Sequence, residues 1–212
     1  MKYSGPVRFF LSIFILICYS FSSMAQQKGE EFQLIKKYAK QLELPADETN
    51  YMISNAYKDQ SSGLTYIYIQ QQYKGIKVFN QIITTAFKES KLLYNSGSFI
   101  KNIEAKAGPS FPVVDALTAV NKTAAHLQLA NPSGLQVVGD MMNLEKKVIL
   151  NSGNIARQNI FANLYWVPVD DGATVHLSWN INIELKDKAD WWNVRIDALT
   201  GNILGQDNWT VN

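Results

Sequence analysis

The segment LTYIYIQQQYKGIKVFNQIITTAFK (residues 64–88) has the pattern of a β-hairpin, and it decides how the rest of the chain is interpreted. β-Branched and aromatic residues are frequent at 64–73 and 81–88, and the chain is predicted to bend near Lys74-Gly75, where a glycine suits a tight turn. Further β runs at 51–57 and 92–100 predict an antiparallel meander. A short amphipathic helix is predicted before it, from Gly29 to Leu42, because apolar residues recur there about every 3.6 positions.

The second part of the chain carries a second helix and a longer series of strands. Apolar and polar residues alternate most cleanly along 175–185, which is typical of a strand with one buried face. A helix is predicted from Pro112 to Leu127, with Pro112 in its first turn and Asp115 near the positive end of its dipole. The strand candidates are 135–138, 145–150, 160–169, 175–185, 191–197 and 202–206.

These patterns predict an α+β fold of two small halves, each a helix with an antiparallel sheet. Residues 101–111 have no apolar periodicity and contain Gly108-Pro109, so they are predicted to be a linker. The predicted domains are residues 26–100 and 112–206, with 207–212 as a C-terminal tail or junction.

The first 25 residues have the pattern of a signal peptide. Lys2 and Arg8 precede an uncharged apolar run, and cleavage is predicted after Ala25, so the protein is expected to be secreted or periplasmic. Cys18 would leave with this segment, and Ile17 before it does not fit a lipoprotein signal. Removal of the segment leaves 18 basic and 18 acidic residues. A neutral mature chain argues against nucleic acid or an anionic membrane surface as a partner.

The residues that catalysis requires are few. His126 and His176 have no second His or Cys at ligand spacing, so each is interpreted as a solvated or locally hydrogen-bonded side chain. The acidic pairs Glu30-Glu31 and Asp170-Asp171 are interpreted as a helix start and a turn. The HExxH signature of zinc proteases does not occur. We therefore predict that the chain is not an enzyme and holds neither a metal nor a cofactor.

Trp191 and Trp192 are adjacent in a predicted strand, so their rings must point to opposite faces of the sheet. One ring is then expected to be exposed or at an interface.

Two motifs resemble known families. The order Gln71, Tyr73, Gly75, Ile76, Val78 and Phe79 is similar to the Q-x-Y-x-G-I/V-x-V-F run of the fungalysin/thermolysin propeptide (FTP) family. Residues 176–204 resemble a PepSY-type hairpin, V-x-I-D/N-A-x-T-G-x-I/V, at Trp192, Val194, Ile196, Asp197, Thr200, Gly201 and Ile203.

The resemblance implies an FTP-like half followed by a PepSY/cystatin-like half, as in the prosegment of secreted fungalysin-type metalloproteases. Such a prosegment would act as an intramolecular chaperone and steric inhibitor of a zinc metalloprotease domain, supplied in cis or encoded nearby and absent from this sequence. The alternative is a stand-alone secreted PepSY-like binding or inhibitory protein that acts in trans. The motif and interface residues implied are Gln71, Tyr73, Gly75, Val78, Phe79, Trp191, Trp192, Asp197 and Gly201.

Overall fold

The computed structural model describes residues 29–140 and 146–210. The predicted signal peptide and its cleavage position lie outside the described residues. The described helices are α1 (residues 29–38), α2 (Ile103–Lys106) and α3 (Ala116–His126). The described strands are β1 (Tyr51–Lys58), β2 (Thr65–Tyr73), β3 (Ile76–Lys88), β4 (Lys91–Ser96), β5 (Val137–Asp140), β6 (Val148–Leu150), β7 (Ile160–Val169), β8 (Thr174–Glu184), β9 (Trp191–Asp197) and β10 (Ile203–Asn208).

The strands form a mixed sheet, so the fold is α+β, as predicted. The main strand order is β1-β2-β3-β7-β8-β9-β10, with β4 beside β3 and the β5–β6 hairpin beside β7. One pair is parallel: β3 and β7 meet at Val78 and Trp166, so this pair joins strands from the two predicted halves. The division into two halves with separate antiparallel sheets stays a prediction. A parallel pair needs a long connection between its strands, and short-range sequence patterns do not show which distant strands will meet.

One compact unit contains residues 29–44, 53–69 and 83–96 of the described chain. Ile35 of α1 is fully buried, together with Ile67 of β2 and Phe87 of β3. The Tyr38 hydroxyl donates to the carbonyl of Ser90 at 3.2 Å, which ties the end of α1 to the β3–β4 turn. The helix predicted at 29–42 is therefore present, but turns replace it after residue 38.

The other compact unit contains residues 45–52, 70–82, 97–140 and 146–210 of the described chain. Helix α3 packs on β8 and β9 and buries Ala119, Val120 and Ala124. It begins at Ala116 and not at Pro112, because the Asp115 side chain accepts from the Thr118 N–H and so caps the helix.

The predicted linker at 101–111 has a defined structure within this second unit. It contains α2, whose Ile103 is buried, and the Gly108 N–H donates to the Val175 carbonyl at 3.0 Å. The compact units divide the β2–β3 hairpin instead of following residues 101–111. The assignment of 26–100 and 112–206 to separate domains stays a prediction.

No helix within residues 29–140 and 146–210 is both long enough and apolar enough to cross a membrane.

Candidate interaction surface

The predicted bend at Lys74-Gly75 is a two-residue hairpin turn between β2 and β3. Both residues have positive φ, 50° at Lys74 and 74° at Gly75, as a type I′ turn requires. Glycine adopts this backbone without steric cost, whereas a lysine is strained there. Gly75 therefore sets the geometry of the turn.

Gln71 binds the main chain of Ile100. Its Nε2 donates to the Ile100 carbonyl at 2.8 Å, and its Oε1 accepts from the Ile100 N–H at 2.9 Å. The Gln71 side chain is fully buried, so both amide groups must find partners inside the protein. Gln71 thus holds the segment that follows β4 against β2.

Tyr73 and Val78 meet Trp166 of β7. The Tyr73 carbonyl accepts from the Trp166 indole N–H at 2.9 Å, and the two ring centroids are 5.5 Å apart. Val78 is fully buried and is the bridge partner of Trp166. The structure therefore gives these two motif residues a role in the fold and places Val78 away from solvent.

Phe79 lies on the opposite side of β3 from Val78 and faces a polar surface. We call this surface the polar face; it consists of Tyr165, His176, Ser178, Asn180, Asn182, Trp191, Asn193, Arg195, Asp197, Asp207 and Trp209. Its register is regular, with Asn180 opposite Arg195 and Asn182 opposite Asn193. The Phe79 ring lies 4.3 Å from the Arg195 guanidinium carbon and 6.3 Å from the Tyr165 ring.

Arg195 is one of two buried charged side chains of the polar face, and Asp197 is the other. Arg195 forms an ion pair with Asp207, Nη1 to Oδ2 at 2.5 Å, and the Phe79 ring stacks on its guanidinium. A buried guanidinium needs such partners because leaving water without them is costly. Beside it, Asn180 donates to Asn193 at 2.8 Å, while the Asn180 Oδ1 is buried without a hydrogen-bond partner among the described residues.

Asp197 organises the turn that follows β9. Its Oδ1 accepts from the Leu199 and Thr200 N–H groups, and its Oδ2 lies 2.7 Å from Nδ1 of His176. Burial raises the pKa of the Asp197 carboxyl, but the hydrogen bonds from His176, Thr200 and Leu199 outweigh it and hold that pKa below its ordinary value of 3.8. The carboxylate form is therefore favoured in the folded chain.

Gly201 completes this turn. Its φ is 74°, and a Cβ at this position would lie 2.4 Å from Cε of Lys122 on α3. The backbone conformation favours glycine here, whereas the exposed Lys122 side chain is flexible and could move away from an added Cβ. Asp197 and Gly201 are thus turn residues that fix the connection between β9 and β10.

A hydroxyl, an imidazole and a carboxylate follow one another at one end of the polar face. Thr174 Oγ1 lies 3.3 Å from His176 Nε2, and the other ring nitrogen, Nδ1, lies 2.7 Å from Asp197 Oδ2. A nucleophile needs a base and a site that excludes water, but Thr174 and the ring edge of His176 lie on an open strand face. The arrangement supports a structural hydrogen-bond chain.

Both histidines bind neighbouring side chains, as the sequence interpretation proposed. His126 Nε2 lies 2.7 Å from Oε1 of Gln206 on β10. Among the described residues, no group of three or more His, Cys, Asp or Glu side chains is placed to hold a metal ion. Asp170 and Asp171 occupy a short 3-10 turn (Asp170–Gly172), in agreement with their interpretation as turn residues.

The two adjacent tryptophans point to opposite faces, as predicted. Trp192 packs against the hydrophobic core, whereas Trp191 remains 44% exposed. The Trp191 indole N–H donates to Asn182 at 2.9 Å, and its ring meets the 47% exposed ring of Trp209 edge to face at 5.8 Å. These contacts hold two solvent-facing indoles in fixed orientations.

Sequence reasoning missed Trp209, Arg195 and Asn182. Trp209 was placed in the predicted tail at 207–212, but its N–H donates to the Trp191 carbonyl at 2.7 Å and so extends the β9–β10 pairing. Continuing the alternation of β10 past Gln206 would have placed Asp207 and Trp209 on one face. The nine predicted motif residues therefore separate into fold residues and two others: Phe79, which packs against the polar face, and Trp191, which lies on it.

The family comparison gives one match in sequence. Residues 49–99 match the family model described as the Fungalysin/Thermolysin Propeptide Motif. This range contains the β2–β3 hairpin with Gln71, Tyr73, Gly75, Val78 and Phe79. No curated protein sequence matches the chain.

The structural comparison gives a distant similarity to the C-terminal domain of YpeB from Bacillus megaterium. Sequence identity is 12%, the TM-score is 0.37, and the match covers 87% of this chain and 66% of that chain. A similarity of this size carries no argument about the fold or the activity, so the PepSY-type resemblance at 176–204 stays a prediction. The propeptide match at 49–99 supports a propeptide-type role, and the matched family is not itself catalytic.

Proposed function

We propose that this chain is a prosegment-type protein that assists the folding of a fungalysin-like zinc metalloprotease domain and blocks its active-site cleft. The observation that carries the proposal is the propeptide-family match at residues 49–99. We further propose that the chain is exported, to the exterior or the periplasm, and that export removes residues 1–25.

The contacts around the matched hairpin suggest which residues maintain the fold and which residues contact the protease. Gln71, Tyr73, Gly75 and Val78 are held by Ile100, Trp166 and the turn geometry, so their proposed role is to keep the hairpin rigid. Phe79 packs against the polar face, and the Trp191–Trp209 pair lies on it. We propose that inhibition is steric and interfacial, and that the exposed indoles contribute to the surface that covers the protease.

A stand-alone inhibitor acting in trans is the second candidate. The exposed rings of Trp191 and Trp209 would serve such an inhibitor as well as they would serve a prosegment. An HExxH domain encoded in the same reading frame or in the adjacent gene would favour the prosegment. If neither encodes one, the stand-alone inhibitor is favoured.

The test is inhibition of a purified fungalysin-type protease from the same genome by the exported chain. Inhibition is expected to be weak, because a separate chain lacks the effective concentration, on the order of millimolar, that a tether supplies. The chain should also raise the yield of active protease when the denatured enzyme is refolded with it.

Two variants make this test specific. Replacing both Trp191 and Trp209 with alanine should weaken inhibition by about tenfold or more, since exposed aromatic anchors dominate many interfaces. The matched control Leu93→Ala, at an exposed apolar residue of β4, should leave inhibition unchanged. No inhibition and no refolding assistance at any concentration would refute the proposal.

A further inference from the structure

A second exposed apolar region lies at the start of α3. Val113 and Val137, which line one cavity, are 69% and 50% exposed, and Phe111 and Val138, close to them in sequence, are 63% and 56% exposed. Exposed apolar residues that cluster, instead of being scattered singly, mark a surface that binds something.

A cavity of about 380 Å³ opens in this region. Its apolar lining comes from the segment that enters α3, from β5 and β6, and from the ring of Trp179. The Trp179 indole N–H is already bonded to the Val114 carbonyl at 2.7 Å, and the Val113 and Val114 N–H groups bond Ala198. The lining is thus held in place and offers mainly hydrocarbon surface.

Strand β5 borders this cavity with a free edge. In the described sheet it pairs with β6 alone, and a bulge between Val137 and Gly139 leaves Val138 outside the regular register. Edge strands are usually protected by lysine, proline or a cover. The sequence of β5, VVGD, contains no lysine or proline, and among the described residues no strand other than β6 pairs with it.

The charges at the rim define the partner further. Among the described lining residues, Asp115 and Asp140 are exposed carboxylates, and Lys146 contributes one ammonium group. A hydrogen bond from the Thr118 N–H lowers the pKa of Asp115, so that carboxylate is charged at neutral pH. The rim therefore carries a net negative charge, which favours a basic ligand.

We propose that β5 and this cavity bind an extended, basic peptide segment of another polypeptide. The segment would add as a strand beside β5, place one apolar side chain in the cavity and set basic residues opposite Asp115 and Asp140. The proposal does not depend on the partner being a protease, so it stands or falls separately from the proposed function.

The test uses three labelled peptides and fluorescence anisotropy with the full chain. The first alternates lysine with valine and leucine; the second has glutamate in place of lysine; the third is the lysine peptide methylated on all backbone nitrogens. We expect the lysine peptide to bind, and the other two to bind at least about ten times more weakly, because one loses charge complementarity and the other the main-chain bonds.

Two variants locate the site. Val138→Pro removes a main-chain donor of β5, and Val113→Lys places a charge in the cavity wall; each should weaken binding at least about tenfold. Leu93→Lys, an exposed apolar residue of β4, is the matched control and should bind as the wild type does. Urea unfolding checks that each variant folds. If the Val138→Pro variant does not fold, the Val113→Lys variant decides the outcome.

Three results would overturn the proposal. The first is that the lysine peptide does not bind at millimolar concentration. The second is that the methylated peptide binds as tightly as the lysine peptide, or that both protein variants bind the lysine peptide as tightly as the wild type does. The third concerns a different occupant. If sedimentation shows a dimer that Val138→Pro dissociates, the free edge is occupied by a second copy of the chain.

Discussion

The side-chain amide of Gln71 bonds both main-chain groups of Ile100, donating to its carbonyl at 2.8 Å and accepting from its N–H at 2.9 Å. Because residue 71 is buried, this pair replaces two hydrogen bonds that water would otherwise make. The two residues mark the ends of a segment that contains the hairpin turn, β3 and β4. The structure thus gives a physical reason for glutamine at this motif position: its amide offers a donor, Nε2, and an acceptor, Oε1, to the two main-chain groups of Ile100.

The first prediction follows from this pair. Gln71→Glu keeps the shape of the side chain but places a carboxylate against the Ile100 carbonyl, so the free energy of unfolding should fall by about 2–4 kcal/mol at pH 7. Urea denaturation measures this loss. It should shrink at low pH, where the introduced carboxyl regains a proton to donate. The control is Gln136→Glu at an exposed site, and an equal loss in both variants would contradict the explanation.

The second prediction concerns the turn between β2 and β3. Gly75→Ala forces a side chain onto a φ of 74° and should lower the free energy of unfolding by about 1–2 kcal/mol. Lys74→Gly removes the same kind of strain and should raise it by about 0.5–1 kcal/mol. Chemical denaturation of the two variants should therefore give shifts of opposite sign. Shifts of the same sign would mean that the turn conformation is not the cause.

Strand positions were predictable where the period of two is strict. Residues 175–185 were predicted as a strand with one buried face, and β8 buries Val175, Leu177, Ile181 and Ile183. The bend at Lys74-Gly75 was likewise predictable, because glycine adopts the positive φ of a tight turn without steric cost. These features depend on neighbouring residues and so appear in the local sequence.

Long-range pairing was not predictable in this way. The parallel contact of Val78 with Trp166 and the bonding of Gln71 to Ile100 join residues that no local pattern connects. The helix predicted from Pro112 begins at Ala116. The Asp115 side chain accepts from the Thr118 N–H, and the N–H groups of Val113 and Val114 donate to the Ala198 carbonyl. Tertiary partners decide such boundaries, and they become visible only in the fold.

The third prediction contrasts the two adjacent tryptophans. Trp192→Ala removes a ring that packs on the core and should lower the free energy of unfolding by about 3 kcal/mol. Trp191→Ala removes a solvent-facing ring with one hydrogen bond and one ring contact, so its cost should be about 1 kcal/mol. Urea denaturation compares the variants directly. The prediction is wrong if the Trp191 variant is as destabilised as the Trp192 variant.

The fourth prediction uses the exposed position of His176. His176→Ala should leave protease inhibition unchanged, because the His176 ring is hydrogen-bonded to the Asp197 side chain and is not one of the exposed rings proposed to cover the protease. It should still lower the free energy of unfolding by about 1 kcal/mol through the lost hydrogen bond. Inhibition and denaturation assays on one preparation measure both quantities. Loss of inhibition in this variant, with inhibition retained when Trp191 is replaced, would point to acid–base or metal chemistry at the histidine.

The last prediction concerns Asp197 and pH. The folded-state pKa of this carboxyl lies below its ordinary value, so its contribution to stability is complete above the unfolded-state pKa of about 4 and is lost as the pH falls through the folded-state value. Asp197→Asn keeps the shape but removes the charge, and should lower the free energy of unfolding by about 1–2 kcal/mol at pH 7.

The difference between wild type and the Asp197→Asn variant should therefore be smaller at about pH 3 than at about pH 5. Urea denaturation across this range measures it. Asp207→Asn is the matched control, because its carboxylate is half-exposed and bonded to Arg195 instead of to a turn. If the Asp197 difference grew as the pH fell from about 5 to about 3, the carboxylate would be destabilised in the fold, and the hydrogen bonds from Leu199, Thr200 and His176 could not be its dominant interactions.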